Sequence, residues 1–455
     1  MTSPSPVAVR RVPRHRRLED ASDAGLPEVC HATVASHGGA TGGALLDVPD
    51  PATGEPLLRV EDAGPQTAAV AASTTARVAR GDWAWLAQED RARWLYVLAA
   101  ELEARARPVG LTSALVTGRP VAAALHADAA RLVDAAFSAA GWADKLPAVG
   151  LRPRRGGAVV LRSSWRTPPA ALAAAVTGAL GVGLGVVLRP TPEAAPLALL
   201  LAGAVRAAGL PADLVSVVPG TAPGADKALL THEDVLAAHA DGGAEELREL
   251  AVALAELGRP LHERADATGV DVVLDGADVE DVADALLDTV RGSAPARPGG
   301  SRVLVVAALA DRLTERLTEG LAALRVGHPL DRATDVGPCP AADVHHRARA
   351  LRGRRAALPG DLPAGGWWVL PTLVPLGRRA PVPPAGPVLG VRVVTGDDDV
   401  APLLAGTTHL AVWGGDARRA LRVLGAAAPR AVGLGGPATD DDAADALRLL
   451  RAVSS

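Results

Sequence analysis

Apolar and polar positions along this chain follow two periods in turn, one of about two residues and one of about 3.6, and the alternation predicts strands and helices in succession. Structured sequence begins near Leu45, and Asp50-Pro51-Ala52-Thr53-Gly54-Glu55 has the composition of a turn between two short strands. Pro65 to Ala106 carries the helical period, with Trp94, Leu95 and Leu98 on one face. Pro196 to Ala208 predicts an apolar helix closed by Gly209 and Pro211, and the branched residues from Leu214 to Val218 predict a strand. Glu245 to Leu257 is amphipathic. Val270 to Leu274 and Val303 to Val306 read as strands, with a helix from Asp278 to Val290 between them. Helices inserted between strands at this spacing predict an α/β fold on a largely parallel sheet.

Thr167 to Leu188 has no charged residue and matches a transmembrane helix in length. Gly178, Gly181, Gly183 and Gly185 interrupt it, and Val186-Val187-Leu188 follows as a branched run. The pattern favours a helix from Ala170 to Val182 and a buried strand ending at Arg189 over a membrane span.

A length of 455 residues suits roughly three domains. The 47 basic and 51 acidic side chains give a net charge of -4, so the overall field recruits neither nucleic acid nor anionic membrane. Arg10, Arg11, Arg14, Arg16 and Arg17 precede no apolar segment, which reads as a solvated basic tail within a polar, mobile stretch from residue 1 to about 40. Two cysteines, Cys30 and Cys339, build no disulfide framework, and no Cys/His spacing suits a metal; a reducing cytoplasm is the default location.

Distributed motifs give the sequence a family likeness. They include the Asp50 to Glu55 turn, Trp85 with Arg91 and Leu95, Ala140-Gly141-Trp142-Ala143-Asp144-Lys145, Ala179-Leu180 through Gly183 to Arg189-Pro190, and Ala208-Gly209-Leu210-Pro211. Val217-Val218-Pro219-Gly220, His232-Glu233-Asp234-Val235, Asp275 to Glu280, Val326 to Asp331, Gly337-Pro338, Leu370 to Leu373 and Gly386 to Leu389 continue the series. In this order and spacing, from about Leu45 to Gly436, the chain resembles the NAD(P)-dependent aldehyde dehydrogenase superfamily. The resemblance implies a Rossmann-like nucleotide-binding domain (41–145 and 158–264), a shortened bridging arm (146–157), a catalytic-type α/β domain (265–436) and a C-terminal helix (437–455). It also implies oligomers, either of this chain or with an aldehyde dehydrogenase paralogue.

The family's chemistry needs a cysteine thiolate that attacks the aldehyde, an Asn amide at the developing oxyanion, a Glu that activates water, and a nicotinamide cofactor that accepts hydride. By the resemblance, those protein positions fall on Arg297 (or Pro298), Arg166 and Arg264. Glu263 lies one register from the base position and is a candidate displaced base. By the resemblance NAD or NADP is the possible cofactor: Gly242 matches the glycine at the pyrophosphate-facing helix start, Trp165 stands in Ser164-Trp165-Arg166 where the family has Pro-Trp-Asn and is a candidate cofactor contact, and Arg189 replaces the family's ribose-binding Lys, while Leu247 replaces the loop's second glycine. No metal site is expected. Three readings stand: a non-catalytic subunit or regulator, an oxidoreductase with displaced groups, and a nucleotide or small-ligand binder. Arg166, Arg264 and Arg297 are expected to converge, answered by Glu263, Asp266 or an anion. In 245–257 Leu247, Leu250, Leu254 and Leu257 follow the helical period while Val252 lies off that stripe, more apolar surface than one packed face needs, and an isologous contact through this helix, sensitive to Leu254→Glu, is expected to bury the excess.

Overall fold

The computed structural model describes residues 18–34, 42–150, 156–266, 268–292, 300–355, 362, 365–377, 383–427, 429 and 431–436. Its first sheet orders β1 (Val29–Cys30), β3 (Pro56–Glu61) and β2 (Leu45–Pro49) as β1-β3-β2, with β2 antiparallel to β3 across the expected turn. Residues 18–34 are not the polar tail read from the sequence. Asp20 caps a 3-10 turn at Ala21–Ala24, β1 pairs with β3, and Thr33 bridges Val217, because Ala24, Cys30, Ala32 and Val34 supply a buried apolar set.

Three helices follow, α1 (Pro65–Val78), α2 (Gln88–Ala104) and α3 (Ala106–Thr117), then the short α4 (Val121–Ala123), which passes through a wide π-helical segment at Ala124–Ala129 into α5 (Ala130–Ala143). Leu95 and Leu98 of α2 are buried as the period requires, whereas Trp94 is 40% exposed. Trp94 lies one step of about 100° from Leu95, at the margin of the stripe, where a large ring remains partly wet.

The second sheet is wholly parallel, in the order β6-β5-β4-β7-β8: β4 (Ala158–Ser163), β5 (Gly185–Pro190), β6 (Val215–Val217), β7 (Val235–Gly242) and β8 (Leu261–Ala265). Its connections are α6 (Pro169–Gly181), α7 (Ala195–Ala207), α8 (Pro223–Thr231) and α9 (Ala244–Glu256). β5 is buried at every position, as expected of a strand with both faces covered. The charge-free stretch resolves into α6 and β5: 13 helical residues, all buried, then a turn with Gly183 at φ +95. At 1.5 Å per residue α6 is about 20 Å long, too short to span a bilayer core of about 30 Å. Among the described residues no helix is long and apolar enough to cross a membrane. Alanines let α6 lie close to α5, where Ala135 and Ala139 meet Ala170 and Ala174.

The third sheet follows in the order β11-β12-β13-β10-β9-β14-β15, from β9 (Gly269–Val273), β10 (Ser301–Val306), β11 (Arg354–Arg355), β12 (Thr372–Pro375), β13 (Val388–Val394), β14 (His409–Trp413) and β15 (Ala431–Leu434). It is parallel except where β11 meets β12. α10 (Val279–Arg291) and α11 (Ala307–Ala323) pack on one face over Val303, Val305 and Leu389. The arm begins as a 3-10 turn at Leu146–Val149, and 151–155 and the C-terminal 437–455 lie outside the described residues.

Candidate active site and nucleotide crevice

A cavity of about 200 Å³ lies where the second sheet's β4–α6 loop meets α3, α5, the end of α10 and the turn at Val336–Pro340. The β4–α6 loop is held by its own hydroxyls: Ser164 N–H donates to Thr167 Oγ1 at 3.1 Å, and Arg166 N–H donates to Ser164 Oγ at 3.2 Å. This turn directs Trp165 and Arg166 to the cavity wall, where the guanidinium carbon lies 4.8 Å from the Trp165 ring centroid. Arg166 also forms a hydrogen-bonded ion pair with Asp266.

Asp266 follows β8 and continues its ladder, donating N–H to Gly242 O at 2.9 Å. Burial pushes its carboxyl above the ordinary carboxylate value; Arg166 and Arg264 draw it down, and Asp241 opposes them. Arg264, 5% exposed, stands directly across from Asp241 in the β7–β8 register. The expectation that the arginines meet an acidic answer therefore acquires a named residue: Asp266 bonds Arg166 and feels the field of Arg264. Arg297 lies outside the described residues. Glu263 is exposed, and the strand's two-residue alternation puts it on the face opposite Arg264 and away from Asp241. A base at Glu263 would need a register shift that the paired ladder does not contain.

Cys339 also lines the cavity. It is 1% exposed, its N–H donates to Trp367 O at 2.8 Å, and burial, with Asp343 nearby, pushes its thiol up to about 12. Burial does the same to Cys30, also to about 12. Sequence reasoning missed Asp128, whose carboxylate on the cavity wall accepts from Ser113 Oγ at 2.9 Å and pairs with Arg119 at 2.9 Å. Burial raises the Asp128 carboxyl as well. Asp128 falls in the π-helical segment, where the 3.6 period that assigns faces does not hold.

The crevice at the carboxyl ends of the second sheet is the other candidate site. Arg189, 3% exposed, donates to Asp226 Oδ1 and Oδ2 at 3.4 and 3.2 Å, to Val218 O at 3.1 Å and to Ala222 O at 3.0 Å. A ribose or 2′-phosphate would have to displace those bonds, so the structure gives Arg189 to the fold. Gly242 and Gly243 lead into α9, whose first N–H groups have no side-chain cap, and this backbone does suit a diphosphate. Among the described residues no group of three or more His, Cys, Asp or Glu is placed to hold a metal ion.

The aldehyde dehydrogenase family model matches residues 39–371. This chain belongs to the aldehyde dehydrogenase family. Betaine aldehyde dehydrogenase of Mesorhizobium japonicum is 30% identical over 385 residues, covering 79% of this chain and 78% of that protein. Among solved structures, an NAD-dependent aldehyde dehydrogenase from Sinorhizobium meliloti superposes with a TM-score of 0.80 at 22% identity, covering 91% of this chain and 88% of the other. P. syringae AldA indole-3-acetaldehyde dehydrogenase, solved with NAD+ bound, gives 0.78 at 23% identity, with 91% and 90% covered. The family's α/β architecture extends through the third sheet, beyond the end of the matched segment.

Proposed function

We propose that this aldehyde dehydrogenase family member does not oxidise aldehydes and serves as a non-catalytic subunit or regulator beside an active relative. The carrying observation is the state of its thiols: both cysteines are buried, with thiols pushed up to about 12. A thiol that burial holds neutral and out of contact with water is poorly placed to be the soft, low-pKa nucleophile that a thiohemiacetal requires. The Arg166–Asp266 pair supports the same reading, because a permanent cation tied to a carboxylate replaces a neutral oxyanion donor. Purified protein should reduce neither NAD nor NADP with aliphatic or aromatic aldehydes, and it should change the activity or assembly of an active family member mixed with it. Turnover that disappears in Cys339→Ala would overturn this.

The 30% identity to a betaine aldehyde dehydrogenase favours a second reading, an NAD(P)-dependent aldehyde oxidoreductase with displaced groups. In that case Cys339 would have to become exposed when substrate enters the cavity. Iodoacetamide labelling separates the two readings: protection of Cys339 with and without aldehyde supports the first, and aldehyde-stimulated labelling supports the second.

A further inference from the structure

We propose that Glu246 is a built-in competitor for the diphosphate of a nucleotide at the start of α9. Four charges form a chain across the crevice. Arg162 and Arg189 are register partners on β4 and β5, so both side chains leave the same face of the sheet, Arg189 buried and Arg162 27% exposed. Asp226 lies between them, pairing with Arg189 at 3.2 Å and with Arg162 at 3.4 Å. Glu246 completes the chain through Arg162 at 3.1 Å. Two positive and two negative charges cancel, which leaves the crevice little net attraction for an anion.

The position of Glu246 makes this more than a surface ion pair. It is the third residue of α9 after the Gly243 cap, where a Glu side chain folds back toward the helix start. One carboxylate oxygen, Oε2, lies 2.8 Å from where a Cβ on Gly242 would be. The space opened by the missing Gly242 side chain, which lets a phosphate approach backbone N–H groups, therefore faces a carboxylate belonging to the chain itself. A diphosphate arriving there meets a like charge and finds Arg162 already engaged. Glu246 is about half exposed, so it is displaceable and sets an affinity without sealing the crevice. The inference concerns binding and holds whether or not the cavity carries out chemistry.

The test is calorimetric titration of the full chain with NAD+, ADP and adenosine, in wild type, Glu246→Ala and Glu246→Gln. Both variants should bind NAD+ and ADP about tenfold more tightly than wild type, the size expected from removing one like charge beside a diphosphate at a helix start. Adenosine, which has no phosphate, should bind all three alike. Gln keeps the length and hydrogen-bonding ability of Glu, so equal gains in Gln and Ala assign the effect to charge. A double variant, Glu246→Gln with Arg162→Gln, should lose the gain, because the freed arginine is part of its cause. If wild-type binding is too weak to measure, measurable binding in the single variants counts as the gain. Unchanged or weaker binding of NAD+ and ADP in both variants overturns the proposal, as does a gain in Ala alone or an equal gain for adenosine.

Discussion

Cavity and crevice are built from the same elements, arginine–carboxylate pairs beside the carboxyl ends of parallel strands, and the inner crevice pair Arg189–Asp226 is as dry as the cavity pair, but the crevice ends in an outer carboxylate that water reaches. Arg166 on the cavity wall and its partner Asp266 are 25% and 12% exposed; in the crevice Glu246 is 53% exposed. A pair removed from water is costly to break, since its remaining member keeps a charge that no solvent answers. A wet pair is worth little and is readily exchanged for a ligand. The cavity's charges therefore hold the fold, while the outer charges of the crevice are free to govern binding.

The largest effect that would break this contrast is on stability. Asp266→Ala leaves Arg166 without its bonded partner and removes the carboxylate whose field Arg264 shares, and it should cost about 3 kcal/mol in urea denaturation. Glu246→Ala should stay within about 0.5 kcal/mol of wild type. Equal costs would show that exposure does not separate the two sites.

A pH titration of stability sharpens the same point. Burial raises the carboxyls of Asp266 and Asp128 above their ordinary values. For an acid raised in the folded state, the native protein holds a proton that the unfolded chain has released. Each group's contribution is then most favourable below the ordinary carboxylate range and declines as pH rises through that range toward the folded value, after which it is constant. Asp266→Asn and Asp128→Asn should each flatten that decline in urea midpoints measured from acid to neutral pH, whereas Glu246→Gln should leave the profile as it is. A wild-type profile that rises with pH, with the rise lost in Asp266→Asn, would mean that Arg166 outweighs burial.

Local patterns were legible in the sequence; pairings between distant segments were not. The charge-free run was parsed to within a residue or two of α6 and β5, because glycine punctuation and a branched run act within a few positions. The family likeness placed Arg166 and Arg264 near one another, and electrostatics then required an acid such as Asp266. Nothing local marks Asp226 as the partner of both Arg162 and Arg189, since those contacts span 64 and 37 positions and depend on strand order. Asp128 was hidden for another reason: it sits in a π-helical segment, where the 3.6 period gives no face, and its partners Ser113 and Arg119 lie in and just after α3. The polar appearance of 18–34 concealed four small or branched apolar residues that pack once β3 is present to pair with them.

α9 contains a smaller version of the contrast. A dimer contact burying the helix's apolar excess was expected to depend on Leu254, but Leu247, Leu250 and Leu254 are 2%, 7% and 0% exposed and pack in the chain's own core with Ala238 and Ala240 of β7. The sheet beneath α9 had first claim on that stripe, since a helix crossing between parallel strands covers the sheet with its apolar side. Val252 on α9 and Leu257 at its C-cap, 58% and 43% exposed, are the large apolar residues turned outward. Assembly with a second copy or a paralogue through α9 would therefore involve Val252 and not Leu254. Leu254→Ala should cost about 3 kcal/mol and leave assembly size unchanged in the folded fraction. Val252→Glu should leave the urea midpoint within about 0.5 kcal/mol of wild type, because Val252 is already 58% exposed, and should lower the mass measured by light scattering. An unchanged mass in Val252→Glu, with the fold intact, would place the subunit contact on another face and leave Val252 an ordinary exposed valine.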